Sequence, residues 1–359
     1  MRLILLVLFL ISAVTSFRPR GIGNRDNSGS NAPIVLQFQP DMTSYHERWG
    51  ESAQMTDISI GTPAQKLQLH IQTINYNNNN GLHVNVQNRE KQFQPTASSS
   101  FVNTKQYDYL NNTIATDVVK FPNGQSKRLP FLAFTYERII SRELAILYLS
   151  RPINNTDSSF ILSLLKDFKE KVVVVTYEKN NRNSKNLPSL KLTIGGRPKT
   201  GCSNWQYAKE VKQRPEFVKP HEWLVPLDSL KVDGKSVELK NKLASFSLTG
   251  YSGISFSYKD ENKILSLILE EHAQSDDVVK QLKSKNFSYD IAGHKFNVAV
   301  QPKHFYMPKR SREDWFDDIG DDIMPEERDP YHVLPHAALY DKCLLLDFEK
   351  KLIAVANRK

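Results

Sequence analysis

Short apolar stretches recur along this chain from Ile34 onward, separated by Gly, Pro, Asn and Ser, and that spacing predicts a mostly β protein. Leu67, Leu69 and Ile71 alternate with Lys66, Gln68, His70 and Gln72, the period-two pattern of a half-buried strand. Ala244, Phe246 and Leu248 alternate with Ser245, Ser247 and Thr249 in the same way. Val172 to Val175 is a continuous apolar run of strand size. Helical signals are few. Ser159 to Phe168 places Phe160, Ile161, Leu164 and Leu165 on one side and predicts a short helix; Asp276 to Leu282, opening on acidic residues, predicts another. Asn77 to Asn80 is too polar to pack a core and reads as an exposed loop.

No tandem repeat of short period occurs, but the two halves echo each other. Each holds an alternating strand that ends in x-Thr, Gln72-Thr73 in the first and Leu248-Thr249 in the second. Each later holds an apolar run, Leu144 to Leu149 and then His332 to Leu334. Two similar lobes would account for both.

The amino terminus changes the picture of where the chain goes. Arg2 supplies a positive charge, Leu3 to Ala13 an apolar run, and Val14 and Ser16 the small residues of a cleavage site. This layout predicts a secretory signal peptide over residues 1–16, followed by a flexible Arg-, Gly-, Asn- and Ser-rich leader over 17–32. The run is well short of the ~20 apolar residues that span a bilayer, so no membrane span is expected. In an extracellular compartment the two cysteines, Cys202 and Cys343, are expected to pair. Asn111, Asn154 and Asn286 open Asn-x-Ser/Thr triplets, the acceptor pattern for N-glycosylation.

The 359 residues carry a formal net charge of +9. Lys and Arg are spread along the chain with no basic helix and no interleaved aromatics. The pattern is a solvated basic surface, and no nucleic-acid partner is expected. The acidic segment from Arg312 to Asp329 lacks the alternating ligands and sixth-position glycine of a calcium loop. No Gly-x-Ser-x-Gly, His-Glu-x-x-His or zinc-spaced cysteine set occurs, so neither a metal nor another cofactor is expected. His332 and His336 flank a proline after an apolar strand and read as core or loop histidines rather than ligands.

One set of motifs goes further. Ile58 to Gln65 (Ile-Ser-Ile-Gly-Thr-Pro-Ala-Gln) resembles the first hairpin of the pepsin-like aspartic proteases, which leads into the strand bearing their first Asp-Thr-Gly. Phe93 to Phe101 (Phe-Gln-Pro-Thr-Ala-Ser-Ser-Ser-Phe) is similar to that family's Ser-rich stretch. Leu192 to Gly196, Trp223, Leu230 to Gly234, Val298 to Phe305, His332 to Leu334, Leu344 to Phe348 and Ile353 to Ala356 follow in the family's order. The resemblance covers the chain from about Pro33 to its end. It implies a bilobal fold, with lobes over 33–205 and 206–359 joined by an interlobe sheet, and a disulfide between Cys202 and Cys343 tying lobe to lobe.

The chemistry of that family needs two carboxylates sharing one proton, one as base toward water and one as acid toward the substrate carbonyl. The resemblance puts Gln72 and Leu248 at those two positions, and no Asp-Thr-Gly or Asp-Ser-Gly occurs anywhere. An amide has no useful basicity, and a leucine offers neither acid nor base. Thr73 and Thr249 match the threonines that cross-link the lobes. The flap segment Tyr107 to Thr113 has no glycine, Tyr148 stands where a glycine is expected, and Leu334 is followed by Pro335 and His336. The resemblance therefore implies a secreted pseudoprotease, a binding or structural protein with an unidentified protein or peptide ligand in a degenerate cleft. The alternative is a divergent aspartic endopeptidase with its acids elsewhere, for which Asp57 and Asp347 are the candidates.

Overall fold

Lys66 and Gln68 point to solvent while Leu67, Leu69 and Ile71 are buried, as their alternation predicts. His70 is buried too, so the upper end of that strand is covered on both faces. The Ala244–Leu248 stretch departs further from its expectation. Ser245 and Ser247 are as buried as Ala244, Phe246 and Leu248, making this a central strand rather than a half-exposed one. Small hydroxyl side chains read as solvent-facing in sequence, yet they also fit an interior where their polar groups are satisfied.

The structure, a computed structural model, describes residues 32–41, 53–72, 81–86, 92–107, 112–134, 145–152, 159–178, 188–212, 214, 218, 221–248, 256–257, 259–268, 285–299 and 330–359. Among these the chain is mostly β, with twenty strands. The first half carries β1 (Ile34–Asp41), β2 (Ala53–Ile60), β3 (Gln65–Gln72), β4 (Gly81–Asn85), β5 (Val102–Tyr107), β6 (Thr113–Lys120), β7 (Ser126–Phe134), β8 (Ala145–Tyr148), β9 (Val172–Tyr177) and β10 (Leu190–Ile194). After the crossing come β11 (Cys202–Tyr207), β12 (Val225–Pro226), β13 (Ser229–Val232), β14 (Lys235–Val237), β15 (Leu243–Phe246), β16 (Asn286–Ile291), β17 (His294–Ala299), β18 (His332–Leu334), β19 (Lys342–Asp347) and β20 (Leu352–Arg358). The helix α1 spans Phe160–Leu165 and α2 spans Glu261–Ile268. The helix expected over Asp276–Leu282 and the loop expected over Asn77–Asn80 lie outside the described residues, as does the acidic segment. The expected signal peptide and residues 17–31 of the expected leader lie outside them as well. Among the described residues no helix is long and apolar enough to cross a membrane.

Six antiparallel strands form one continuous stretch of sheet in the order β11-β20-β19-β9-β10-β1. Its two trios are built alike, each from the earliest strand of one half and the hairpin that ends that half. They meet where β9 pairs β19, with Val173, Val174 and Val175 opposite Leu346, Leu345 and Leu344. β1 continues past β10 to pair β2, and β2, β3, β8, β4, β7 and β6 then pair in turn until β6 returns to β2, closing a six-stranded barrel. In the second half β12-β15-β18 and β14-β13-β16-β17 form two smaller sheets.

The two most distinctive sequence motifs turn out to be halves of one joint. Gln65 donates through Nε2 to Gln94 O at 2.9 Å and accepts from Gln94 N at 2.8 Å, which docks the Gly-Thr-Pro turn onto the Ser-rich stretch. Ser98 Oγ accepts from Thr62 N at 3.0 Å and donates to Asp117 Oδ2 at 2.8 Å; Ser100 Oγ donates to Asp117 Oδ1 at 2.5 Å. Asp117 is fully buried, and the backbone amide of Val118 also donates to it. Gly61 has φ +94°, and a Cβ there would stand 2.8 Å from Ser98 Oγ, so only glycine fits both the backbone and the space.

Helix α1 forms where its apolar spacing predicts, with Ser159 as N-cap accepting from Leu162 N. At its far end the Lys171 ammonium spends all three protons on the carbonyls of Leu165, Lys166 and Phe168, at 2.6–2.7 Å. Cys202 and Cys343 are bonded. The bridge joins β11 to β19 within one trio of the central sheet, across β20. It closes a sequence separation of 141 residues that holds the whole of the two smaller sheets, and in the chain-entropy model a loop of that length is worth about 4–5 kcal/mol.

Asp117→Ala should lower the unfolding free energy by about 3 kcal/mol, because two buried hydroxyls and an amide lose a charged acceptor. Asp117→Asn should cost less, and urea unfolding of both variants measures the difference. Lys171→Met should lower stability by roughly 1–2 kcal/mol through loss of the α1 cap, read the same way.

Candidate functional site

The positions of interest, Gln72 and Leu248, sit at the ends of two similarly built strand pairs. β3 runs parallel to β8, placing Gln72 opposite Tyr148, and Leu149 N donates to Gln72 O at 2.8 Å. β15 runs parallel to β18, and Ser247 N donates to Leu334 O at 2.9 Å just before Leu248. The apolar runs noted in each half are thus the parallel neighbours of the alternating strands.

The two ends differ in chemistry. Gln72 is partly exposed, whereas Leu248 is completely buried. The Leu248 carbonyl accepts from the Tyr177 hydroxyl at 3.0 Å, across 71 residues of sequence. Tyr177 closes the apolar run of β9 and is itself buried, and desolvation, with Tyr340 beside it, drives its phenol well above the ordinary tyrosine range. It therefore acts as a fixed donor and offers no base. The His336 ring lies 6.1 Å from Tyr177 and 5.6 Å from Tyr340, filling the space after Pro335 with aromatic surface. On the first half, Tyr148 finds room by packing on His83 at 4.5 Å and facing Gly81 across the strand pair.

The halves are stitched together beneath these positions. Trp223 Nε1 donates to Leu149 O at 2.7 Å, its ring meets Phe348 at 5.3 Å, and Arg151 N donates to His221 O at 2.6 Å. Thr73 and Thr249 lie outside the described residues, as do Asn111, Asn154 and the middle of the flap segment. Asn286 begins β16 with its side chain exposed, while Phe287 beside it is core.

The alternative acids serve other purposes. Asp57 is exposed and pairs with Lys66 at 2.8 Å. Asp347 is buried, accepting from the Tyr207 hydroxyl at 2.7 Å and from Lys350 N at 2.9 Å at the β19–β20 turn. A serine, a histidine and an aspartate do meet elsewhere: Ser257, His332 and Asp260. They are not arranged as a nucleophile triad. His332 Nδ1 contacts the Ser257 backbone amide rather than its hydroxyl, the hydroxyl accepts from Asn241 Nδ2 at 3.2 Å, and all three residues are buried. Among the described residues no group of three or more His, Cys, Asp or Glu is placed to hold a metal ion.

Tyr177, Ser257 and Asp260 were not singled out in the sequence. A tyrosine ending a strand that opens on four valines carries a weak signal, since its hydroxyl must find a partner inside. Asp260, with Ile264 and Ile268 four and eight residues later, marks the start of α2, which the sequence reading also missed.

No family model matches the chain, and no curated protein matches it either.

Tyr177→Phe should keep the packing and remove the bond to the Leu248 carbonyl, lowering stability by about 1 kcal/mol. A fall of a few degrees in the thermal midpoint, on the order of 2–4 °C, is the expected reading.

Proposed function

We propose that this chain is a secreted, two-lobed protein of pepsin-like design that has lost proteolysis and serves as a binding or structural protein. The twin-trio order of the central sheet supports the two-lobed reading, as does the strand pair that recurs in each half beside Gln72 and Leu248. Each pair would then mark the floor of one lobe, and the space above them the former cleft, open to a peptide or protein segment.

The observation that carries the loss of catalysis is Leu248. A fully buried hydrocarbon with its carbonyl held by a neutral phenol cannot take up or release a proton. Gln72, at the other candidate position, can orient a water but not activate it. Proton sharing between two carboxyls is the step on which this class of peptide hydrolysis depends. Export follows from the amino-terminal layout, with Phe17 as the first residue after cleavage.

Purified mature protein, incubated with unstructured peptides between about pH 2 and pH 8, should show no pepstatin-sensitive cleavage, since its two candidate positions carry no carboxyl. Activity that survives purification and is lost on pepstatin addition would overturn the reading. The double variant Gln72→Asp, Leu248→Asp is expected to lose stability rather than gain activity, because it buries a carboxyl among Tyr177 and its neighbours. Amino-terminal sequencing of protein collected from culture medium tests the export step.

A further inference from the structure

Ser257, His332 and Asp260, rejected above as a triad, form a different device. The His332 ring is wedged between two partners of opposite demand. Its Nδ1 accepts from the Ser257 amide at 3.4 Å, and its Nε2 lies 3.3 Å from Asp260 Oδ2 along a bent path. Only a neutral ring with its proton on Nε2 serves both. Asp260 accepts in turn from Lys240 N at 2.6 Å and Asn241 N at 2.9 Å, and the Asn241 side chain donates to Ser257 Oγ and to Pro330 O. Four separate segments are thus gathered at one buried point: the turn before β15, residues 256–257, the start of α2, and β18.

The electrostatics around the ring are simple. The 240–241 turn presents backbone amides to Asp260, the Asn241 backbone carbonyl to the ring and a neutral carboxamide, and residues 256–257 present a phenyl ring 6.4 Å away, an amide and a hydroxyl. β15 brings Ala244 opposite His332, and the start of α2 brings Asp260. Among the described residues Asp260 is the charged group in contact with the ring.

We infer that this cluster is an acid-released clasp that holds β18 and α2 in place at neutral pH and lets them loosen as the pH falls. A second proton on the ring must go to Nδ1, where its N–H would confront the Ser257 N–H, donor against donor. Burial lowers the proton affinity of His332, and Asp260 together with the Asn241 backbone restores only part of it. The open form, with its ring in water, therefore takes up a proton first. The clasp's contribution is complete above the free-histidine value of about 6.5 and declines as pH falls below it. Both ring contacts are long, so little has to be broken.

The consequence reaches the midline between the halves. β18 is the parallel partner of β15, and Leu334, two residues after His332, accepts from Ser247 beside Leu248. Release of His332 would loosen the strand end that holds Leu248 in place. This inference does not depend on the chain being a pseudoprotease.

Hydrogen exchange followed by mass spectrometry on the full mature chain tests it, with intrinsic rates corrected for pH. Between about pH 7.5 and pH 5, protection over residues 256–268 and 330–339 should fall, by up to roughly thirtyfold, because each pH unit between the open-state value and the lower closed-state value is worth a factor of ten. Residues 113–134 of the barrel should keep their protection. His332→Gln, neutral at every pH with one donor and one acceptor, should abolish the difference between the two conditions. Should that variant fold poorly, the wild-type profile alone decides. Equal protection at both pH values, or an equal loss over 113–134, overturns the clasp, and so does a wild-type response in a folded His332→Gln chain.

Discussion

Val173, Val174 and Val175 on β9 pair with Leu346, Leu345 and Leu344 on β19, and the two trios of the central sheet are joined by that ladder. The two strands lie about 170 residues apart, so their pairing carries the entropic cost of a long closure, offset by apolar valine–leucine pairs and ordered backbone bonds. Their hairpin partners β10 and β20 flank them, and β1 and β11 lie outermost in this six-stranded stretch. The barrel hangs from one edge because β1 runs on past β10 to meet β2. The disulfide acts on the other edge, where it holds β11 against β19 and limits how far the second half can depart when unfolded.

Buried polar groups supply the specificity that apolar pairing lacks. Asp117, Asp260 and Asp347 are each buried carboxylates held by hydroxyl, amide or imidazole donors at a junction of segments. An unpaired carboxylate would be expensive in the interior, so each cluster fixes its own register. None of the three pairs with a second acid in the manner that peptide hydrolysis would need. These buried carboxylates sit in joints, whereas at Leu248 the buried partner is the Tyr177 hydroxyl.

Much of the first half was legible because its signals are local. The alternation from Leu67 to Ile71 gives β3, and Ser159 with the spacing of Phe160, Ile161, Leu164 and Leu165 gives α1. The Gly-Thr-Pro and Ser-rich motifs announced something specific, but not that Gln65, Ser98 and Ser100 serve one another through Asp117. The Ala244–Leu248 stretch misled, because serines on its second face imply water and meet protein instead. Helix α2 was missed because its apolar spacing is carried by few residues and its cap, Asp260, is recognisable only once its partners are known.

By itself the sequence determined the strand-rich character of the chain, the absence of any Asp-Thr-Gly triplet, and the pairing of its only two cysteines. These depend on residue identity and short-range periodicity, which do not change with the path of the chain. Tertiary structure alone decided that the disulfide staples one trio of the central sheet, that Tyr177 grips the Leu248 carbonyl, and that His332 sits between Ser257 and Asp260. Each of these joins segments some 70 residues or more apart, and the free energy that brings such segments together belongs to the packed core as a whole rather than to any window of sequence.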